Sequence, residues 1–166
     1  MLDTKLKTRE LTQLALLTAL LVGCKEAMNV LPNINPVTLF LILGVLHYGA
    51  KTLYATFAFV AVEICLHGMG IWAINYLYIW PLLVVLMLPL RATRSRLFWA
   101  AFAAIFGLCF GALCAAAYLF IGGWKMALSY WVSGIPFDLV HCASNAVIVF
   151  ALLPTLDRFV GRLREK

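Results

Sequence analysis

The sequence predicts an all-α fold: an integral membrane bundle of six transmembrane helices, N and C termini cytoplasmic, forming a single transmembrane domain over residues 1–166. Three observations lead there. Of 166 residues, 64% are apolar and only 12% charged, whereas ordinary globular chains are about 45–50% apolar and about 25% charged. A chain this short has too small an interior to hide that surplus from water. The apolar residues also fall into runs whose lengths approach the roughly 20 residues needed to cross a bilayer, and the basic residues collect at the ends that such a topology places on one side. Six crossings use about 120 residues, so no room is left for a separate aqueous domain. That excludes soluble catalysis, nucleotide hydrolysis and nucleic-acid reading despite the net charge of +6.

Span one, 11–31, follows the polar stretch Met1–Glu10 and is closed by Pro32 and Pro36. Leu21-Val22-Gly23-Cys24 resembles a lipoprotein cleavage box, but the downstream chain stays apolar and the segment is expected to remain as a span. Span two, 37–49, starts behind Pro36, which suits a first helical turn, and span three, 52–66, follows the joint Gly49-Ala50-Lys51. Span four, 72–90, has Pro81 in its middle and ends at Arg91, Arg94 and Arg96. Span five, 97–121, carries the small-residue step Gly107-x-x-x-Gly111 and ends at Gly122-Gly123. Span six, 129–153, is expected to be interrupted at Gly134-Ile135-Pro136 near its start and to end at Pro154.

Cytoplasmic loops accumulate Lys and Arg, and this topology puts Lys5, Lys7, Arg9, Lys51, Arg91, Arg94, Arg96, Arg158, Arg162, Arg164 and Lys166 inside. Only Lys25 and Lys125 fall elsewhere. The five cysteines lie in apolar segments without a CxxC pair and read as small buried hydrophobes.

Ionisable groups inside a bilayer are costly and default to functional candidates. Here they concentrate at the outer ends of the spans. Glu26 and Asn29 close span one, with Asn33 in the loop after it, and Glu63 lies near the outer end of span three, followed by His67. Trp72, Asn75 and Tyr76 open span four, Trp131 leads into span six, and Asp138, His141 and Asn145 share one face of a helix at i, i+3 and i+7. The expectation is one substrate cavity open to the outside and closed below, lined by these residues; a channel would need polar lining along its whole length. Structural roles stand beside this reading: an ion pair of Glu63 with Lys25 would pin helices together, Asp138 near a helix start would sit where an anion is favoured, and tryptophans at this depth serve as interface anchors.

Three other motifs fail on spacing. Gly44 to Thr52 resembles a P-loop, but Ala50 separates Gly49 from Lys51. Ser133 and His141 do not form a nucleophile elbow. His67 and His141 with Glu63 and Asp138 single out no ligand pair, so no metal and no cofactor are expected.

Low in span one, Ala15-Leu16-Leu17-Thr18-Ala19 offers a smooth strip at i and i+4. Together with Leu31-Pro-Asn-Ile34, Gly70 to Tyr78, Tyr118 to Trp124, and Tyr130 to Asn145, the chain resembles an S-component of an energy-coupling factor (ECF) transporter, of the cobalamin-type subgroup. The resemblance implies a non-enzymatic, multi-pass subunit of a bacterial plasma membrane. It would capture a vitamin-like small molecule, cobalamin being favoured, and dock through Ala15 and Ala19 on a transmembrane coupling subunit served by two cytoplasmic ATP-binding cassette ATPases. The alternatives are an S-component for another vitamin or a modified base, a small intramembrane enzyme using Glu63, Asp138 and His141, or a stand-alone secondary transporter.

Overall fold

The computed structural model describes residues 7–31 and 33–165. Lys5, Pro32 and Lys166, used in the reading above, lie outside the described residues, as does the Arg164 side chain. Among the described residues the chain is all-helical, with five α-helices and two short 3-10 turns.

Helix α1, Thr8–Ala27, begins where the Glu10 carboxylate accepts the Lys7 backbone N–H at 3.3 Å, capping the first turn. It ends four residues earlier than the apolar run suggests, so Asn29 lies in the turn that follows. The Asn35 side chain accepts the Val37 N–H at 3.2 Å and so starts α2, Val37–Tyr48. Gly49 then takes a φ of 58°, open to glycine without a Cβ penalty, and the 3-10 turn Gly49–Lys51 leads into α3, Thr52–His67. A straight helix would separate Gly44 and Thr52 by about 12 Å, yet the Thr52 side chain packs directly on Gly44. The chain therefore folds back at Gly49. Helix α4, Ile71–Met87, runs through Pro81 and closes in the 3-10 turn Leu88–Leu90.

The last helix, α5, Arg96–Glu165, is unbroken except at Gly123, whose φ of 72° and ψ of −172° are non-helical. Four contacts show what that break does. Ala103 meets Asn145, Gly107 meets His141, Gly111 meets Asp138, and Tyr118 stacks on Tyr130. As one partner advances along the chain the other retreats by nearly the same number of residues, which is the signature of two antiparallel arms, 96–122 and 124–165, hinged at Gly123. Gly107 and Gly111 allow this closeness: a Cβ on Gly107 would stand 2.8 Å from the His141 and Cys142 backbone, and one on Gly111 would meet the Asp138 carboxylate.

Two expected boundaries are corrected. No interruption occurs at Gly134-Ile135-Pro136, and Pro154 does not end the helix. A proline removes one backbone hydrogen bond, a loss that a long helix packed along its length absorbs. Trp124 and Lys125 are accordingly helical instead of lying in a loop.

Helix α2 forms the middle of the core, with Leu41, Ile42 and Val45 wholly buried and packed among Leu21 of α1, Phe59 of α3, Leu83 of α4 and Val149 of α5. Large apolar side chains cover the outside, including Phe120 at 92% exposure and Leu97 and Val147 at 67% each. An apolar exterior of this extent suits lipid, not water. The stretches Val37–His67, Ile71–Leu90 and Arg96–Leu163 are long and apolar enough to cross a membrane, though Gly49 and Gly123 divide the first and last. Helix α1 carries Arg9 and Glu10 at one end and Lys25 and Glu26 at the other.

Basic side chains collect at the end opposite Lys25. Lys51 pairs with Glu10 at 2.8 Å, Arg9 donates to the Leu163 carbonyl, and His47 meets Asp157 at 2.8 Å.

Candidate functional site

The end of the bundle where α1 finishes, α3 finishes and α4 begins holds a crevice of about 280 Å³ lined by Lys25, Asn29, Glu63, His67, Trp72 and Tyr76. Its centre is an ion cluster. The Lys25 ammonium lies 2.5 Å from Glu63 Oε2 and 2.9 Å from Glu26 Oε1, and His67 Nε2 lies 3.0 Å from Glu26 Oε1. Glu63 is 0% exposed, so its charge is tolerated only because Lys25 stands against it; an unpaired carboxylate there would cost several kcal/mol. Trp72 stands edge-on to Tyr76 at 5.4 Å and to His67 at 6.3 Å, forming an aromatic wall beside the charges.

Glu26, Glu63 and His67 also bring one ligand atom each to within 4.8 Å of one another. The sequence reading, which expected no metal, passed over a visible signal, since Glu63 and His67 are one turn apart on α3. The Lys25 ammonium now occupies the position between the two carboxylates.

A second crevice, of about 300 Å³, opens between the arms of α5 and the α1–α2 connection, lined by Asn33, Phe110, Gly111, Cys114, Tyr130, Ser133, Gly134, Phe137 and Asp138. Asp138 Oδ1 accepts the Gly111 N–H at 2.8 Å, while its buried Oδ2 has no hydrogen-bond partner among the described residues. One turn further along, His141 is buried at 2% exposure with neither ring nitrogen hydrogen-bonded among the described residues and with Phe110 edge-on at 4.9 Å. Asn33 fastens the rim, donating from Nδ2 to the Phe137 carbonyl at 3.1 Å and accepting Ser144 Oγ at its own carbonyl at 3.0 Å.

Among the described residues the expected single cavity is thus corrected to two. Tyr76 of the first crevice packs on Trp80 at 5.5 Å, Trp80 on Phe110 at 5.6 Å, and Phe110 lines the second. This ring partition forms because α4 and the first arm of α5 both turn aromatic residues toward each other at the same level. Glu63 and Asp138 therefore face different spaces.

Of the candidate residues, Asn29, Glu63, Trp72 and Tyr76 line the first crevice, with Glu26 in its ion cluster, and Asn33 and Asp138 line the second. His141 lies beneath the second. Asn145 donates to the Ala103 carbonyl at 3.1 Å and so ties the two arms of α5, whereas Asn75 accepts the Tyr78 hydroxyl at 3.2 Å within α4; neither lines either space. Trp131, 42% exposed, is also outside both. Tyr130, which the sequence places at the approach to span six but not among the site residues, and Phe110 and Cys114, which it does not single out, line this second crevice; Phe110 and Cys114 lie on the first arm of α5 and Tyr130 on the second, so they meet only where the arms close on each other. Comparison with protein-family models, curated proteins and solved structures finds no match to this chain.

Proposed function

We propose that the chain is the substrate-capturing subunit of an importer, an S-component-like membrane protein that binds a small vitamin-like or modified-base molecule at one end and hands it on through partner subunits at the other. In this reading α1, the folded pair α2 and α3, α4 and the two arms of α5 give six spans, with both termini and the basic end in the cytoplasm of a bacterial plasma membrane.

The observation that carries the proposal is the placement of buried polar side chains that lack partners. Buried polar groups are normally hydrogen-bonded. Among the described residues Asp138 Oδ2, both nitrogens of His141 and the Trp80 indole N–H are not, as the Thr38 and Thr52 hydroxyls are not; of these Asp138 lines the second crevice, His141 lies one turn beneath it, and Trp80 stands in the ring partition between the two. A planar ring with donors and acceptors along its edge would satisfy such groups while stacking on Tyr76, Trp80 or Phe110. The crevice volumes, about 280 and about 300 Å³, stand at the lower end of the roughly 300–1,000 Å³ range of small-molecule sites. They favour a single ring system over cobalamin, the substrate expected from the resemblance.

Partner docking draws its support from α1. Ala15 and Ala19 are exposed, and their neighbours Leu16 and Leu20 line an apolar groove of about 350 Å³ that continues onto α2 and onto α5 at Leu156 and Phe159. Small residues let another helix approach closely, which suits a coupling subunit that in turn engages two ATPases.

The test is a panel of vitamins and nucleobase derivatives screened by thermal shift on the purified chain. One ligand should raise the unfolding midpoint in a concentration-dependent way. Reconstituted alone, the chain should not accumulate that ligand in vesicles; accumulation driven by an ion gradient would establish a secondary transporter instead.

A further inference from the structure

The basic end of the bundle carries a cavity that substrate capture does not use. It measures about 360 Å³ and is walled by Leu46, Trp99, Leu153 and Pro154, with Arg94, Arg96 and Arg158 at its rim. All three arginines are exposed. Among the described residues one acid lines the space, Asp157, and its Oδ1 is already engaged 2.8 Å from His47 Nε2. Three guanidiniums thus face one carboxylate that already has a hydrogen-bond partner, an arrangement that repels cations and favours an anion.

Two of the arginines are held in place. Arg158 donates from Nε to the Pro154 carbonyl at 3.0 Å, which leaves its terminal nitrogens available, and the Arg96 guanidinium lies 4.5 Å from the centre of the Phe150 ring. Arg94 projects from the connection between α4 and α5. Guanidinium forks match phosphate oxygens in geometry as well as charge. The surface beside the cavity is apolar and exposed, at Leu97, Phe98 and Phe150. A charged pocket flanked by an oily strip fits an amphiphile with a phosphate head and a hydrocarbon tail, and basic pockets between helices at the cytoplasmic side are suited to anionic lipid heads.

We propose that this cavity is a phosphate-binding site whose occupant is the headgroup of an anionic phospholipid, its chains lying along Leu97, Phe98 and Phe150. The site is at the far end of α4 and α5 from the two crevices, and it stands whether or not those crevices capture a vitamin.

The full chain is purified in a zwitterionic background and titrated with phosphatidylglycerol, with inorganic phosphate as a separate arm; the unfolding midpoint and the lipid retained in native mass spectrometry are read. Phosphatidylglycerol should raise the midpoint and be retained. Arg94→Gln with Arg158→Gln, both exposed, should leave the midpoint in phosphatidylcholine unchanged and weaken phosphatidylglycerol binding about tenfold or more. Arg94→Gln alone should weaken it less, and Arg91→Gln, outside the cavity, should not weaken it. A response to inorganic phosphate equal to that of the lipid would keep the phosphate site and reassign its source to a soluble anion. No response to either, or equal losses from Arg91→Gln and the double variant, would overturn the site, the second outcome reducing it to general surface charge.

Discussion

Replacing Gly107 with alanine asks whether the two arms of α5 close on each other as described. A methyl group there would stand 2.8 Å from the backbone N of Cys142 and from the His141 carbonyl group. Backbone cannot swing aside as a side-chain tip can, so the arms must separate by several tenths of an ångström. Overpacking of this kind costs about 1–3 kcal/mol, against a gain of about 1 kcal/mol from alanine's better helix propensity. The net expectation is destabilisation by up to about 2 kcal/mol, and at about 2–4 °C per kcal/mol for a chain of this size the midpoint should fall by several degrees. Gly134→Ala is the matched control, because nothing lies within 4 Å of its Cβ position and only the propensity gain applies. Thermal unfolding of both variants in the same detergent decides the matter. If Gly107→Ala is as stable as Gly134→Ala, the arms do not pack at Gly107 and the partition between the crevices loses its frame.

Glu63→Ala strands Lys25 beside a buried wall and should cost up to about 3 kcal/mol, below the usual range for a broken buried pair because Glu26 keeps a second contact. Glu26→Ala, with a half-exposed partner set, should cost under about 1 kcal/mol; chemical denaturation distinguishes the two, and equal losses would show that burial of Glu63 is unimportant. Ala15→Leu with Ala19→Leu should leave ligand affinity intact and abolish ATP-driven uptake in vesicles that also contain the partner subunits; lost affinity would make the strip structural. Trp72→Ala should weaken ligand binding while Trp131→Ala should not, as read by titration calorimetry, because only Trp72 lines a crevice.

The helical bundle was legible because composition and apolar run length are local properties, and so were the reversals at Gly49 and Gly123. The run-on of α5 through Pro136 and Pro154 was not: proline lowers the odds of a helix locally, and only packing along the whole arm outweighs it. The clustering of Lys25, Glu63, Asp138 and His141 toward one end of the bundle, by contrast, followed from their positions along their helices. Their division between two spaces did not, because it depends on Trp80 and Phe110 meeting across α4 and α5. The Ala103–Asn145 and Gly111–Asp138 contacts fix which faces of the arms meet, and no periodicity within a single arm encodes that pairing. Glu63 and His67, in contrast, lie one turn apart on α3, a spacing visible in the sequence itself.

Direct ligand titration of the purified chain, with Asp138→Asn and His141→Phe alongside, tests the capture proposal most sharply. The expected result is one ring-bearing ligand of vitamin or nucleobase size that binds the native chain at micromolar concentration or below, with binding weakened about tenfold or more in each variant, as loss of a hydrogen bond to a buried polar group entails. Binding that is unchanged in both variants, or no binding by any member of the panel, would contradict it.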